Sequence, residues 1–318
     1  MRKYNFFSKA VIFAYVKSMR PYLFFLSGMA GWLGVLFSGT TSSIGRTTAV
    51  LSVVFIGWGV NQVINDLFGL KEDKINAPHR PLITGALPMK QAIIFSIFFF
   101  ALGGLITFLL NPKALTLFLL VFALNIIYEY SKGLPLLGNL MFGFLLAPCV
   151  YYGAMCVNHK GLEILFDRRL TFIAIAVVLI NSTAAFFTYF KDFIGDKAAG
   201  KKTIVVCLTP EKAKYLNFLM SLLPFSILFF GDWRTPAVPY FLILMAITFF
   251  ILQYTAFLYF KKTQGKDVYY SLKWNFRGAV LFETSFVALI NPSLAVALYL
   301  INFIAVGALF ELHQDYLA

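Results

Sequence analysis

Charge is scarce in this chain. Charged residues make up 13% of its 318 positions, about half of what a soluble domain carries, and only 14 are acidic. Set beside 60% hydrophobic residues and a mean hydropathy of +0.79, that scarcity excludes an ordinary soluble globule and points to a polytopic membrane protein. Cysteine is also rare: Cys149, Cys156 and Cys207 are odd in number and lack metal-ligand spacing, which excludes a disulfide framework and suits small apolar fillers. No Gly/Ser run, charge block or fixed repeat divides the chain, so residues 1–318 read as one helical membrane domain. Behind Met1-Arg2-Lys3 no short apolar core leads to a small-residue cleavage site, and no removable signal peptide is expected.

What is abundant is apolar length. Runs of about 20 residues, the span of a membrane helix, occur near 19–38, 47–67, 90–110, 113–130, 137–157, 169–190, 213–231, 237–260 and 293–312. The expected fold is an all-α bundle of about nine transmembrane helices. A further stretch, 268–291, is apolar but carries Lys273, Arg277 and Glu283, so a tenth span and an amphipathic interfacial helix both stay open. With the N-terminus placed in the cytoplasm, 21 of the 27 lysines and arginines fall on the cytoplasmic side. The bias follows the positive-inside rule and accounts for much of the net charge of +13 without nucleic acid. It also puts the loops after the second and sixth spans on the same side, as a shared site requires.

Those two loops hold the acidic residues. The first stretch, Asn61 to Pro81, contains Asn61, Asn65, Asp66, Gly69, Glu72, Asp73 and Arg80. At about 100° per residue Asp73 falls nearly below Asp66, while Asn61, Asn65 and Gly69 follow at i+4 on a neighbouring strip, so one face carries oxygen ligands. The second stretch, Tyr189 to Thr203, places Asp192 and Asp196 at i, i+4 beside Lys191 and Lys197. Each alone also fits a solvated turn. Together, two carboxylate groups interspersed with cations suit a diphosphate bridged by Mg²⁺, which takes one or two carboxylates and completes its shell with water and phosphate oxygens. Acids at the mouth of a membrane helix cost several kcal/mol to desolvate unless they are paired or functional. The surrounding hydrocarbon, with 37 Phe and 16 Tyr, suits an isoprenyl tail, and ring faces stabilise an allylic cation.

The two stretches resemble the paired aspartate-rich motifs of the UbiA superfamily of intramembrane prenyltransferases. The matching residues are Asn65-Asp66, Asp73 and Ile75-Asn76-Ala77-Pro78-His79-Arg80-Pro81 in the first, and Lys191-Asp192, Gly195-Asp196-Lys197, Gly200 and Thr203 in the second. Between them, Tyr128-Glu129-Tyr130-Ser131-Lys132 and Gly138-Asn139 are similar to the family's loop after the fourth helix. The resemblance implies a nine-helix bundle around a central cavity, with a cytoplasmic-side catalytic cap and a lateral opening to lipid. It further implies that Asn65, Asp66 and Asp73 hold one Mg²⁺ and Asp192 and Asp196 another, and that Arg80, Lys132 and Lys191 contact the diphosphate. Asn61 and Glu72 are further candidates, Asn61 on the substrate side. Farnesyl or geranylgeranyl diphosphate is the expected substrate, held within the lipid bilayer.

One position departs from the family pattern. Gly69 stands where the first motif has its middle aspartate, and Asn65-x-x-x-Gly69-x-x-x-Asp73 resembles a branch associated with terpene cyclisation. On that reading the missing carboxylate leaves room for a polyene to fold back on its own cation, and His79 accepts the final proton. The alternative is transfer of the isoprenyl chain to an aromatic or quinone-precursor acceptor. Two further classes, a transporter and an isoprenoid-binding scaffold, stay open. A transporter's site usually lies near the midplane, whereas these acids gather at one membrane face.

Overall fold

The computed structural model describes residues 8–313 apart from 159, 232, 233 and 266; Arg2, Lys3 and Lys266 of the orientation argument lie outside the described residues. All regular structure among the described residues is helical. A short helix α1 (Lys9–Ser18) is capped by Ser8, whose hydroxyl accepts from the Val11 amide. Then follow α2 (Phe24–Phe37), α3 (Ile44–Phe68), α4 (Leu70–Asn76), α5 (Pro81–Thr84), α6 (Met89–Leu110) and α7 (Leu115–Ser131). The second half comprises α8 (Leu137–Asn158), α9 (Arg168–Ala198), α10 (Ile204–Leu208), α11 (Pro210–Leu222), α12 (Val238–Lys261), α13 (Asp267–Ser285) and α14 (Pro292–His313).

The bundle is assembled around α8 and α9. Helices α2 and α8 meet backbone to backbone: a Cβ on Gly34 would sit 1.8 Å from the Val150 carbonyl oxygen, and one on Gly153 2.0 Å from that of Gly31. Small residues at such crossings replace the hydrophobic drive that lipid cannot supply. On the face of the bundle away from the acidic loops, the Arg46 Nε donates to the Cys156 carbonyl at 2.6 Å and its guanidinium also reaches the Leu110 carbonyl. It thereby satisfies acceptors that the ends of α8 and α6 would otherwise leave orphaned. Cys149 and Cys156 are buried, Cys207 is exposed, and no disulfide joins them.

Among the described residues seven helices, rather than the expected nine, are long and apolar enough to cross a membrane. The run 19–38 divides into a 3-10 turn, Pro21–Leu23, and the 14-residue α2, because Pro21 follows Arg20 in a left-handed conformation (φ 52°, ψ 70°). The run 213–231 divides into α11 and a 3-10 segment, Leu223–Phe229, entered through Pro224. Of the two, α2 is an apolar rod buried in the bundle, whereas α11 opens with Glu211, Lys212 and Lys214 and buries one face through Ala213, Asn217 and Ser221; each is shorter than a full span. The ambiguous 268–291 becomes α13, buried along its second half from Gly278 to Ser285. It packs within the bundle, since its polar side chains find partners on other helices: Lys273 with Glu311 at 2.6 Å, the Arg277 Nε with the Phe303 carbonyl at 2.9 Å, and Glu283 with the Asn181 carboxamide at 2.7 Å.

Candidate active site

The first acidic stretch is a broken helix. The Gly69 amide still donates to the Asn65 carbonyl at 2.9 Å, and the Asp73 amide donates to the Gly69 carbonyl at 3.0 Å, so α4 continues α3 after a kink at Gly69 (φ −91°, ψ 16°). The i+4 strip seen in the sequence survives the kink. A Cβ at Gly69 would lie 3.3 Å from the Asn65 carbonyl oxygen and 3.7 Å from an Asp73 carboxylate oxygen. The second stretch is the end of α9, stopped at Gly200 (φ 74°) by paired bonds from the Gly200 amide to the Lys197 carbonyl and from the Lys201 amide to the Asp196 carbonyl. This glycine-capped turn reverses the chain and returns Lys201 over the carboxylates. Thr203 caps the next helix by accepting from the Val206 amide.

The Asn76 side chain hydrogen-bonds the two stretches together. The Asn76 Nδ2 donates to the Asp192 carbonyl at 3.1 Å, and its Oδ1 accepts from the Gly195 amide at 2.8 Å. Around this clamp lies a polar cavity of about 200 Å³ whose wall includes Asn65, Asp66, Asp73, Arg80, Lys132, Lys191, Asp192 and Asp196. Eight of the nine sequence-predicted site residues are therefore gathered at one place. Glu72 and His79 join them, while Lys74 and Lys197 are exposed outside the wall. The cavity is apolar on the bundle side, where Leu23, Phe142, Leu272, Phe276 and Phe310 close it.

Asn61 is the exception. One turn above Asn65, it donates to the Asn125 Oδ1 at 2.8 Å, and the Asn125 Nδ2 donates to the Asn65 Oδ1 at 2.7 Å. Asn61 lines a second, apolar cavity of about 150 Å³ among α3, α6 and α7. It holds Asn65 in place through Asn125 and does not face the polar cavity. Asn125→Ala leaves the buried Asn61 and the half-buried Asn65 carboxamides each short of a partner, which costs about 1–3 kcal/mol. The expected result is a lower melting temperature in detergent together with weaker turnover; an unchanged melting temperature would show that the ladder adds no stability.

Every carboxylate of the two motifs has an internal counter-ion. Asp66 pairs with Arg20 and, at 3.1 Å, with Arg80; Asp73 pairs with the same Arg80 nitrogen; Asp192 meets Lys191 at 2.6 Å; Lys201 lies 2.6 Å from Glu72 and 3.6 Å from Asp196. Burial holds the Asp73 carboxyl above its ordinary range, with Arg80 pulling it down and the charge of Asp66 pushing it up. Burial also acts against the charge on Arg80, but Asp66, Asp73 and Asp192 outweigh it and raise the guanidinium above its usual value. Burial and the nearby charges of Arg80, Lys17 and Lys191 lower His79 to about 4, which keeps it neutral at neutral pH. No three Asp, Glu, His or Cys side chains among the described residues come close enough to hold a metal by themselves. That donor set fits a hard cation whose shell is completed by water and substrate oxygens.

The family model described as UbiA prenyltransferase matches residues 21–277. The chain belongs to the UbiA prenyltransferase family. Among its relatives is the digeranylgeranylglyceryl phosphate synthase of Pyrococcus furiosus, 30% identical over 223 residues that cover 67% of this chain and 78% of that protein. Of solved structures, an apo UbiA homolog from Aeropyrum pernix K1 superposes with a TM-score of 0.70 at 22% identity, covering 83% of this chain and 96% of that one. A UbiA homolog from Archaeoglobus fulgidus bound to GPP and Mg²⁺ gives 0.59 at 16% identity, covering 93% of this chain and 99% of that one. These identities show a shared fold. The family match and the synthase relatives favour chain transfer, and the cyclisation expected from Gly69 finds no support among them. Gly69 marks the kink between α3 and α4, which accounts for it without a cyclase.

Sequence reasoning missed several members of this wall. Arg20 is one of the 21 cytoplasmic-side charges in the sequence reading, although an arginine immediately before the proline that opens an apolar helix is a local signal. Lys201 reaches the site through the turn after α9, and Glu129 from the last helical turn of α7. Phe310 and His313 come from α14, beyond the family match, and nothing local to them indicates the cavity.

Proposed function

We propose that this protein is a Mg²⁺-dependent prenyltransferase that ionises an isoprenyl diphosphate in the polar cavity and passes the chain to a lipid acceptor, with the site and N-terminus on the cytoplasmic side. The observation that carries the reading is the meeting of two carboxylate pairs, Asp66/Asp73 and Asp192/Asp196, with their cations around one cavity. Charge supports it. The described wall holds six carboxyl groups, Asp66, Glu72, Asp73, Glu129, Asp192 and Asp196, against five cationic side chains, Arg20, Arg80, Lys132, Lys191 and Lys201. Two divalent ions with a diphosphate ester of about three negative charges would bring that balance close to neutral. Asn65, Asp66 and Asp73 would hold one ion and Asp192 and Asp196 the other; bound there, Mg²⁺ neutralises the charge that develops on the leaving oxygen.

The chain's own groups do the rest. Arg80, Lys132 and Lys191 surround the leaving diphosphate and lower the cost of its charge. The apolar wall of Leu23, Phe276 and Phe310 takes the tail and excludes water from the cation. The allylic C–O bond breaks with its electron pair on the diphosphate, and a new bond forms from the acceptor oxygen, whose proton passes to the departing diphosphate or to solvent. The relatives' name makes geranylgeranyl diphosphate the first donor to try and a glyceryl phosphate lipid with a free hydroxyl the first acceptor. Supplied with geranylgeranyl diphosphate and Mg²⁺ in nanodiscs, the protein is expected to release pyrophosphate in step with prenylated acceptor, and little without it. A cyclic hydrocarbon formed in the absence of acceptor, detected by mass spectrometry, would overturn transfer.

A further inference from the structure

We propose that Arg20 is a working residue of the site: with Arg80 it occupies the Asp66/Asp73 pair when no metal is bound, and it is handed to the diphosphate when metal arrives. The inference rests on the proposed diphosphate chemistry and concerns how the site loads. Three observations meet at Arg20. Its backbone is left-handed, which costs a side-chain-bearing residue about 1 kcal/mol or more and persists where the surroundings impose it. Its side chain is largely buried in the cavity wall, far from the solvated position expected of an orientation charge. It is divided between two acceptors on α3, the Gln62 Oε1 at 2.5 Å and the Asp66 carboxylate.

Arg80 completes the arrangement, because one of its nitrogens touches both Asp66 and Asp73. One oxygen of each carboxylate that a divalent ion needs is thus already engaged, the Asp66 Oδ1 by both guanidinium groups and the Asp73 Oδ2 by Arg80. A metal ion arriving alone must displace them and leave two cations in a buried wall with fewer partners, a costly state. A metal ion arriving with a diphosphate meets no such cost, since the displaced arginines find phosphate oxygens, which suit the guanidinium fork better than a single carboxylate oxygen does. Metal and diphosphate therefore bind with strong positive coupling, and each raises the affinity for the other by the same factor. The pairs Lys191–Asp192 and Lys201–Glu72/Asp196 repeat the pattern on the second motif, but there the cation is a flexible lysine that swings aside more freely.

Mn²⁺ and inorganic pyrophosphate test this on the purified protein in nanodiscs, with the loss of the free Mn²⁺ electron-paramagnetic-resonance signal as readout. The wild type is expected to bind Mn²⁺ weakly alone and at least tenfold more tightly with pyrophosphate. Arg20→Gln should bind Mn²⁺ alone about tenfold more tightly than the wild type, and pyrophosphate in the presence of Mn²⁺ about tenfold less tightly, so that the coupling shrinks. Arg20→Lys, which keeps the charge and loses the fork, should fall between; a melting curve confirms that each variant is folded. Unchanged Mn²⁺ affinity in both folded variants overturns the role of Arg20 while leaving the diphosphate site standing. Failure of the wild type to bind Mn²⁺ with or without pyrophosphate overturns the proposed function itself.

Discussion

Asp73→Asn and Asp196→Asn should each lower kcat/KM for the isoprenyl diphosphate by about 10³-fold, a loss of roughly 4 kcal/mol of transition-state stabilisation. Asparagine matches aspartate in size, so packing is conserved and only a charge and one ligand oxygen change. Both proteins should remain folded, because each lost carboxylate leaves its cation a second partner. Without Asp73 the Arg80 guanidinium still has Asp66, and without Asp196 the Lys201 ammonium still has Glu72. Asp66 serves two cations at once: without it Arg80 keeps Asp73, but Arg20 keeps only the neutral Gln62 carboxamide, so Asp66→Asn should lose stability as well as activity. Combining Asp73→Asn with Asp196→Asn should cost little more than either alone, since the two motifs act on one leaving group as a unit. Near-normal turnover in either single variant, assayed as pyrophosphate release at saturating Mg²⁺, would remove the carboxylates from the chemistry.

The parts of this site that could be read from the sequence share one property, that their meaning is local. Asp66 and Asp73 lie on one helical strip whether or not the helix kinks at Gly69, and Asp192 and Asp196 are one turn apart on α9. Loop parity then predicted that the two groups face the same compartment, and Asn76 on Gly195 is the bond that brings them together. Gly69 misled for a physical reason. A missing side chain reads as empty volume in a sequence, yet a glycine at a helix break is there for the backbone, and its neighbours are Asn65 and Asp73. Long-range partners were equally hidden. Asn125 has nothing beside it in sequence to reveal that it bridges Asn61 and Asn65, and Lys273, Arg277 and Glu283 look too polar for a span until α14 and α9 supply their counterparts. Apolar runs and continuous helices part at α2 and α11 because a 20-residue run registers apolarity and is blind to the 3-10 turns at Pro21 and Pro224.

The second large effect is expected at a residue that touches no reacting atom. Asn76 ties α4 to α9 with two hydrogen bonds, one donated to the Asp192 carbonyl and one accepted from the Gly195 amide, while Lys201, beyond the end of α9, adds an ion pair to Glu72 at 2.6 Å. Gly195 has no side chain because Asn76 occupies its place; a Cβ there would meet the carboxamide at 2.4 Å. Asn76→Ala and Gly195→Ala therefore attack the same joint from opposite sides, the first by removing the clamp and the second by pushing it out. Either should let Asp66/Asp73 drift from Asp192/Asp196 by a fraction of an ångström to an ångström. Since a diphosphate must be gripped by both pairs at once, a displacement of that size should cost about 10²-fold in kcat. The double variant should be no worse than the single ones, because a clamp can be lost only once. Asn76→Asp separates geometry from mere packing: it keeps the acceptor for the Gly195 amide and loses the donor to Asp192, so it should retain more activity than Asn76→Ala if the amide bond sets the spacing. Equal loss in Asn76→Asp and Asn76→Ala would instead place the weight on the bond to Asp192, and full activity in Gly195→Ala would show that the spacing of the two motifs tolerates the shift.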